Sequence, residues 1–323
     1  MKRPDLSRMN WDTRINKPTE KSIAFLSHWD FKNKDGTQYY TIDPKNVPDE
    51  WIKQDEPRSI FDVPEIWYGI ERLNHPGFDN RPWHEVDFCR KLWDKYADFP
   101  MEYILEACCG ICPHGSIFSS QGVSVVGVDA SKGMVDAANA RAETQNLDLR
   151  IYKRDVFRFS IPGSSPDGAI LLASTFPVPH QNRTDNSALI SQLKSVGYYI
   201  RRGGLYIIDC GSPAPPDIVR DEIVSQTHDF DLDFAKVSMR ILTLRTRIDT
   251  WETPFSYYCT VKYPGGKVKL THHSSTCFIT TQHLKALVEM SGIFELLALH
   301  HWGDPEPGLR QDSGNYVAVL RRK

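Results

Sequence analysis

The hydrophobic positions of the chain follow two different periods, and the change between them predicts the order of its elements. From about residue 100 to residue 210, short apolar runs alternate with longer stretches of helical period. The runs predict five strands: Tyr103–Ala107, Val123–Val128, Leu149–Lys153, Gly168–Ala173 and Leu205–Asp209. Helices are predicted between them, from about Gly115, over Gly133–Gln145 and over Asn186–Ile200. Strands that alternate with helices predict an α/β protein with a parallel, doubly wound sheet.

After Cys210 the apolar period changes from helical to two. Phe255, Tyr257, Cys259 and Val261 alternate with polar residues, and Tyr263-Pro264-Gly265-Gly266 is a turn sequence. This pattern predicts an antiparallel meander inserted after the fifth strand. A helix over Thr280–Met290, closed by Gly292, and strands over Phe294–His300 and Tyr316–Leu320 complete the predicted fold.

The part of the chain before the first strand has its own pattern. Residues 64–99 carry a helical apolar stripe, whereas residues 1–62 are polar and interrupted by proline, yet contain several large aromatic side chains. Because disordered tails are poor in aromatics, we expect an ordered extension, either a lid, or else a packing arm or a contact between the copies of a homodimer. The predicted parts are an extension over 1–62, an α/β domain over 63–212 and 278–323, and a β insert over 213–277 that caps the substrate.

Composition narrows the classes of function. The formal net charge is −2 and no long run of lysine and arginine occurs, which argues against a nucleic-acid partner. No apolar run is long enough to span a membrane, and no secretory signal is visible, so we expect a cytoplasmic protein. Seven cysteines, an odd number, favour free thiols over a disulfide framework.

The junction of the first two predicted strands carries the strongest functional signal. A buried strand runs into the turn Cys108-Cys109-Gly110, a helix follows, and the second strand ends at Asp129. This is the layout of a nucleotide-binding βαβ unit, in which the acidic residue accepts hydrogen bonds from ribose hydroxyls. The sequence therefore predicts a cofactor that contains adenosine. Glu106 is expected to contact that cofactor, the alternative being a buried carboxylate that accepts from a local backbone amide.

Other residues have candidate roles that the sequence alone leaves open. His180 follows the fourth strand and is either a general base or a loop histidine bonded to backbone. His272 shares an inward face with Val268 and Leu270, and Tyr68 with Trp67 could close over a cationic ligand, the alternative in both cases being core packing. Cys109, Cys112 and His114 suggest a metal site, but no second ligand pair completes one, so no metal is predicted. Arg245 and Arg247 share a strand face and either hold an acidic substrate or are solvated.

Four passages resemble the class I S-adenosylmethionine-dependent methyltransferases, in particular the small-molecule branch with an antiparallel insert after strand five. They are residues 104–110, residues 126–134 (VGVDASKGM), residues 154–156 (RDV) and residues 200–209 (IRRGGLYIID). The resemblance implies a Rossmann-like fold, S-adenosylmethionine as cofactor, and a small-molecule acceptor in small-molecule or secondary metabolism. It also implies roles: Cys108 and Gly110 against the methionine part, Asp129 at the ribose, Ala130 and Met134 beside the adenine, Asp155 and Val156 at its amino group, and Ala173 near the methionine part.

The turn departs from the family pattern, which has glycine where this chain has Cys108 and Cys112. A Cβ at a position that needs a positive φ costs about 1 kcal/mol. The expected function is methyl transfer to nitrogen, oxygen or carbon of a small acceptor, with His180 or His272 as base. One alternative is cyclisation of the cofactor's aminocarboxypropyl chain to azetidine-2-carboxylate, with release of methylthioadenosine. Others are a non-catalytic cofactor-binding protein and, last, a nicotinamide-dependent oxidoreductase, for which the turn lacks G-x-G-x-x-G.

Overall fold

A computed structural model describes residues 58–75, 78–163, 165–173, 176, 186–211, 224–244, 252–277, 279–309 and 315–323. Three predictions therefore lie outside the described residues. They concern the N-terminal extension up to residue 57, the loop that carries His180, and the face shared by Arg245 and Arg247.

The described residues form a central sheet of seven strands, and the first five of these in the chain pair in parallel. The parallel strands are β1 (Tyr103–Ala107), β2 (Ser124–Asp129), β3 (Leu149–Lys153), β4 (Gly168–Leu171) and β5 (Leu205–Asp209). After a separate four-stranded insert, β6 to β9, two further strands complete the sheet. Strand β11 (Tyr316–Arg322) pairs antiparallel with β5, and β10 (Phe294–His301) pairs antiparallel with β11, so β10 runs in the same direction as β1 to β5. The order across the sheet is β10-β11-β5-β4-β1-β2-β3. The chain order reverses at β1 and β4, and in open α/β sheets ligands bind at such a switch point, outside the carboxyl ends of the strands.

Helices cover both faces of this sheet, as the alternating pattern predicts. The helices are α1 (Pro64–Asn74), α2 (Arg81–Tyr96), α3 (Pro113–Ser120), α4 (Lys132–Gln145), α5 (Ser187–Tyr199) and α6 (Thr281–Ser291). Helices α2, α3 and α4 pack on one face, against side chains such as Ile104 and Ile170. Helices α5 and α6 pack on the other, against the alternate positions Leu105 and Leu171. The doubly wound fold class is confirmed.

The insert forms a separate antiparallel sheet of four strands. They are β6 (Val224–Leu232), β7 (Ala235–Thr243), β8 (Glu252–Tyr263) and β9 (Gly266–Cys277), paired in chain order. Its inner face packs on α1 and on the short 3-10 helix Ile60–Asp62, with Val237, Val261 and Leu270 fully buried. Helix α1 therefore lies between the two sheets and forms one wall of the space between them.

Three element boundaries differ from the sequence prediction for identifiable reasons. The helical stretch over residues 64–99 is two helices: the first ends at Asn74, and the second begins at Arg81 with Pro82, which lacks an N–H, in its first turn. Strand β4 ends at Leu171 and not at Ala173, since Ala173 has a φ of 59° that no strand accommodates. Helix α3 begins two residues early, at Pro113, a residue type suited to the first helical position.

Within the described part of the chain, none of the helices is both long enough and apolar enough to cross a membrane. The division into an extension, an α/β domain and an insert remains a prediction.

Candidate active site

One large cavity of about 940 Å³ lies at the carboxyl ends of the parallel strands, below α1 and beside β8 and β9. All nine residues predicted to bind the cofactor line it: Glu106, Cys108, Gly110, Asp129, Ala130, Met134, Asp155, Val156 and Ala173. Tyr68 and His272 line the same cavity, whereas His180 lies outside the described residues. The structure thus brings together residues that are up to 204 positions apart in the chain, from Tyr68 to His272.

Asp129 connects the end of β2 to the turn after β1. Its Oδ2 accepts a hydrogen bond of 2.8 Å from the Gly110 amide, and its Oδ1 accepts one of 2.9 Å from the Ser131 amide. Burial raises the pKa of Asp129, while these two amides oppose the rise. A carboxylate oxygen has a second lone pair, so both oxygens remain able to accept from a ligand in the cavity.

The turn between β1 and α3 is built from left-handed backbone. Cys108, Gly110 and Cys112 have φ values of 51°, 56° and 56°, and Ala173, at the end of β4, has 59°. Each non-glycine residue in this region costs roughly 1–2 kcal/mol. At Gly110 an added Cβ would lie 2.9 Å from the Tyr68 hydroxyl, so this position needs glycine for space as well. Strained backbone clusters at functional sites, and of the four non-glycine residues with positive φ in the described part of the chain, three lie in or beside the cavity wall.

Asp155 and Glu106, the other predicted acidic contacts, already have protein partners. The Asp155 Oδ1 accepts from the Phe157 amide at 2.9 Å, which makes it a turn cap as well as a wall residue. The Glu106 Oε2 accepts from the Gly115 amide at 2.7 Å and from the Cys112 thiol at 2.9 Å. Its Oε1 lies 2.8 Å from His114 Nδ1. These contacts are those of the alternative role of Glu106, a buried carboxylate that accepts from a local backbone amide. The side chain also lines the cavity.

The far side of the cavity is formed by aromatic residues and by β9. His272 packs edge-on against Phe61 at 4.5 Å between centroids and stacks with Tyr257 at 6.4 Å. Its Nδ1 lies 3.2 Å from the Ser59 hydroxyl. Burial, then the neighbouring His273, lower the pKa of His272 to about 4. His272 is therefore uncharged near neutral pH.

Two other predicted side chains, His273 and Tyr68, have hydrogen-bond partners within the protein. His273 is hydrogen-bonded to Ser256, 2.8 Å away. Burial raises the pKa of Tyr68, whose hydroxyl also has a hydrogen bond to the Ile111 backbone, so the phenol stays protonated. Among the described residues, no group of three or more histidine, cysteine, aspartate or glutamate side chains is arranged to hold a metal ion.

Sequence reasoning missed a polar group at the cavity wall. Arg81 and Glu85, on the first turns of α2, line the cavity and pair at 2.6 Å, and Glu85 continues to His114. The i, i+4 spacing of Arg81 and Glu85 on a predicted helix was the available signal. Nothing in the spacing shows that α2 brings them to the turn after β1.

Comparisons with known proteins agree with this fold. Residues 104–196 match the family model described as a methyltransferase domain. A comparison with curated proteins gave no match. Among solved structures, an S-adenosylmethionine-dependent methyltransferase from Clostridium acetobutylicum superposes with a TM-score of 0.63, at 13% identity, over 80% of this chain and 97% of that one.

Two further structures have the same fold. CalS10 from Micromonospora echinaspora, an amino pentose methyltransferase, has a TM-score of 0.55 at 14% identity, over 79% of this chain and 96% of its own. KedS8 from a Streptoalloteichus species, a sugar N-methyltransferase, has a TM-score of 0.56 at 16% identity, over 86% and 98%.

The methyltransferase domain match covers residues 104–196, and the fold is that of the class I S-adenosylmethionine-dependent methyltransferases. S-adenosylmethionine is the cofactor of this class, and the predicted resemblance is confirmed.

Proposed function

We propose that the chain methylates a small-molecule acceptor that binds in the same cavity as S-adenosylmethionine, on the side formed by β8, β9 and the 3-10 helix. The observation that carries the proposal is the single cavity, in which all nine predicted cofactor residues share a wall with His272 and an aromatic surface. A transfer between two ligands needs both in one enclosed space.

The cavity residues fit the cofactor by their chemistry. Asp129 offers carboxylate lone pairs to ribose hydroxyls, and Gly110 leaves space that a Cβ would fill. Ala130, Met134 and Val156 provide apolar surface for an adenine, with Asp155 beside them. The hydroxyl of Tyr68, which stays protonated, lies beside Gly110 of this turn, and the aromatic ring that carries it suits a sulfonium cation.

When bound, the cofactor supplies a methyl group on sulfonium sulfur that is already activated towards a nucleophile. The protein's own task is then to orient the acceptor and to exclude water. Phe61, Trp67 and Phe255 supply apolar walls on the acceptor side, with His272, Ser59 and Ser274 as polar groups. Among the described residues of that side there is no lysine and no arginine, which favours an uncharged acceptor or an amine over a phosphate or carboxylate.

The hydrogen bonding of His272 favours a role in orienting the acceptor. The Ser59 hydroxyl oxygen accepts from the Phe61 amide at 3.2 Å, and its own hydrogen can be donated to His272 Nδ1. The uncharged imidazole then carries its hydrogen on Nε2. In this tautomer His272 is a hydrogen-bond donor towards the acceptor, and a pKa of about 4 makes it a weak base.

The alternative of aminocarboxypropyl cyclisation receives no support from the comparisons, and no described contact favours it over methyl transfer. Product analysis separates the two chemistries. The purified protein is incubated with S-adenosylmethionine alone and with a panel of amines, alcohols and phenols. The panel begins with amino sugars, because two proteins of the same fold are sugar methyltransferases.

The proposal predicts S-adenosylhomocysteine and a methylated compound that appear only when an acceptor is present. Release of methylthioadenosine without an acceptor would contradict it and support cyclisation. Binding of the cofactor with no turnover on any acceptor would support the non-catalytic reading.

A further inference from the structure

His114, the second residue of α3, stands between two buried carboxylates. Its Nδ1 lies 2.8 Å from Glu106 Oε1 and its Nε2 lies 2.5 Å from Glu85 Oε2. All three side chains are at least nine-tenths buried. An uncharged imidazole has only one N–H, so it can satisfy one of two flanking carboxylates. Both contacts are satisfied together when the ring is the doubly protonated cation.

We propose that His114, as a permanently charged imidazolium, is a positioning residue that fastens helix α2 to the cofactor turn and keeps that turn in its binding shape. The inference rests on the proposed function, because it takes the cavity to be the cofactor site. It concerns a residue for which the methyl transfer itself needs no role.

The Glu106 end of this cluster reaches the strained part of the turn. Glu106 Oε2 accepts from the Cys112 thiol and from the Gly115 amide, one of the amides that a helix N-terminus leaves without an internal partner. Cys112, the residue before α3, has left-handed backbone, and its side chain accepts no capping hydrogen bond from the amides of the helix. Glu106 therefore caps α3 from β1, and His114 holds Glu106 in that orientation.

The Glu85 end reaches α2. Glu85 Oε1 lies 2.6 Å from Arg81 Nε, so the four side chains alternate in charge: Arg81, Glu85, His114 and Glu106. With His114 charged, two cations balance two anions. With His114 uncharged, the buried part of the cluster would carry an excess negative charge against the cavity wall, which all four residues line.

Other titratable groups surround the cluster on every side. They are Cys89 on α2, Cys109 and Cys112 on the turn, Tyr68 on α1, Arg141 on α4 and Asp209 on β5. Burial alone would lower the pKa of His114, but Glu106 and Glu85 outweigh it and raise that pKa to about 10. Burial likewise opposes the ionised form of Glu85, yet His114 and Arg81 bring its pKa below the ordinary value.

The first measurement observes the charge itself. The ring nitrogens of His114 are followed by NMR of the full-length protein labelled with ¹⁵N-histidine, between pH 5.5 and 8.5. We expect imidazolium shifts throughout this range, and a titration displaced to lower pH in Glu85→Gln. An uncharged His114 ring at pH 7 in the wild-type protein would overturn the proposal, and this readout does not require any variant to fold.

The second measurement tests the positioning role. In His114→Gln the amide offers a donor to one carboxylate but turns its oxygen towards the other, and the balancing cation is lost. We expect the Kd for S-adenosylhomocysteine to rise at least tenfold, and the ratio of variant to wild-type Kd to change between pH 6 and pH 8, because one carboxylate then takes up a proton in that range.

His300→Gln is the matched control. His300 is another fully buried histidine, held by Tyr96 and by the carbonyls of Asp304 and Glu306, and it does not line the cavity. Its replacement is expected to leave the Kd unchanged. A folded His114→Gln protein that binds as tightly as the wild type would overturn this inference alone. Failure of the wild-type protein to bind S-adenosylmethionine or S-adenosylhomocysteine would overturn the proposed function as well.

Discussion

At the scale of single residues, Asp129 is the side chain on which we expect cofactor binding to depend most. It receives two backbone amides, from Gly110 and Ser131, and faces the cavity. In Asp129→Asn one oxygen becomes an NH₂ group that points at a backbone N–H, so a hydrogen bond and a ligand acceptor are lost together. We expect the Kd for S-adenosylmethionine to rise at least tenfold, measured by isothermal titration calorimetry.

Asp148→Asn serves as the control for this prediction. Asp148 precedes β3, at the amino ends of the parallel strands, and does not line the cavity. Its replacement is expected to leave binding unchanged. Equal affinity of wild-type protein and Asp129→Asn would contradict the role given to this carboxylate.

Replacing each of the two cysteines with left-handed backbone by glycine should change the free energy of unfolding differently. In Cys108→Gly the strain of a φ of 51° is relieved, which offsets the entropy that glycine adds to the unfolded chain. In Cys112→Gly the same relief is outweighed by loss of the thiol hydrogen bond to Glu106, worth about 1.5–3 kcal/mol for a charged acceptor. Urea denaturation should therefore rank Cys112→Gly below Cys108→Gly in free energy of unfolding, and the reverse order would contradict the proposed Cys112–Glu106 contact.

The sequence predicted the position, at the cavity wall, of residues at the carboxyl end of a strand. Cys108 and Asp155 lie just beyond the ends of β1 and β3, and Asp129 is the last residue of β2, so the order of elements alone carries them to the carboxyl ends of the parallel strands. Glu85 and His114 could not be found in this way. Their contact depends on how α2 packs against α3, and a hydrophobic period reports which face of a helix is buried but not which polar residues meet there.

At the scale of elements, Gly115 allows α3 to pack closely against the neighbouring strands. A Cβ on Gly115 would lie 2.8 Å from Glu106 Oε2 and 2.9 Å from Val125 Cγ1. Alanine stabilises an ordinary helix by about 1 kcal/mol relative to glycine. Here we expect Gly115→Ala to lower the free energy of unfolding by more than about 1 kcal/mol and to weaken cofactor binding, since Glu106 must move.

Ser119→Ala, in the same helix, is the matched comparison. The Ser119 hydroxyl is buried without a hydrogen-bond partner among the described residues, so its removal should leave stability unchanged or raise it. Chemical denaturation of both variants checks the pair. A stabilising Gly115→Ala would show that β1 and α3 are less tightly packed than the structure indicates.

Element boundaries were predictable wherever glycine, proline or a capping residue marks them. Ser131 accepts from the Met134 amide at the start of α4, and Gly292, with a φ of 70°, ends α6, both as the sequence suggests. The break between α1 and α2 was missed because the apolar stripe continues on both sides of Pro76-Gly77. The helical period of apolar residues shows which face of a helix is buried. Two consecutive helices, each with one buried face, give the same sequence pattern as one long helix.

At the scale of the whole molecule, the two sheets act as one site only because α1 and the 3-10 helix Ile60–Asp62 join them. Ser131 Oγ at the start of α4 lies 2.8 Å from the Phe61 carbonyl, and Arg58 accepts from the Thr271 amide of β9 at 2.7 Å. The sequence predicted both sheets but not this join, since each contact is formed between residues at least 70 positions apart. The side of the cavity that we propose for the acceptor is therefore expected to depend on the docking of the insert.

The docking of the insert can be followed by the pH dependence of the free energy of unfolding, because it buries His272 and lowers its pKa. The folded pKa of about 4 lies below the unfolded value of about 6.5, so between these values the unfolded chain binds more protons than the folded protein. Stability from this residue is fully present above pH 6.5 and is lost as the pH falls towards 4, with a slope of at most about 1.4 kcal/mol per pH unit. In His272→Asn this contribution is absent.

We therefore expect the variant to lose less free energy of unfolding than the wild type between pH 6.5 and pH 4.5, while the difference between the two proteins stays constant from pH 7 to pH 8.5. Urea denaturation across this range measures both, and the alkaline range is an internal control for packing changes. Parallel curves over the whole range would mean that His272 is solvated and that the insert does not close the cavity over it. A larger loss of free energy of unfolding in the wild type than in the variant at acid pH would instead mean that His272 lies in a cavity wall that excludes water, where its Nε2–H can orient an acceptor.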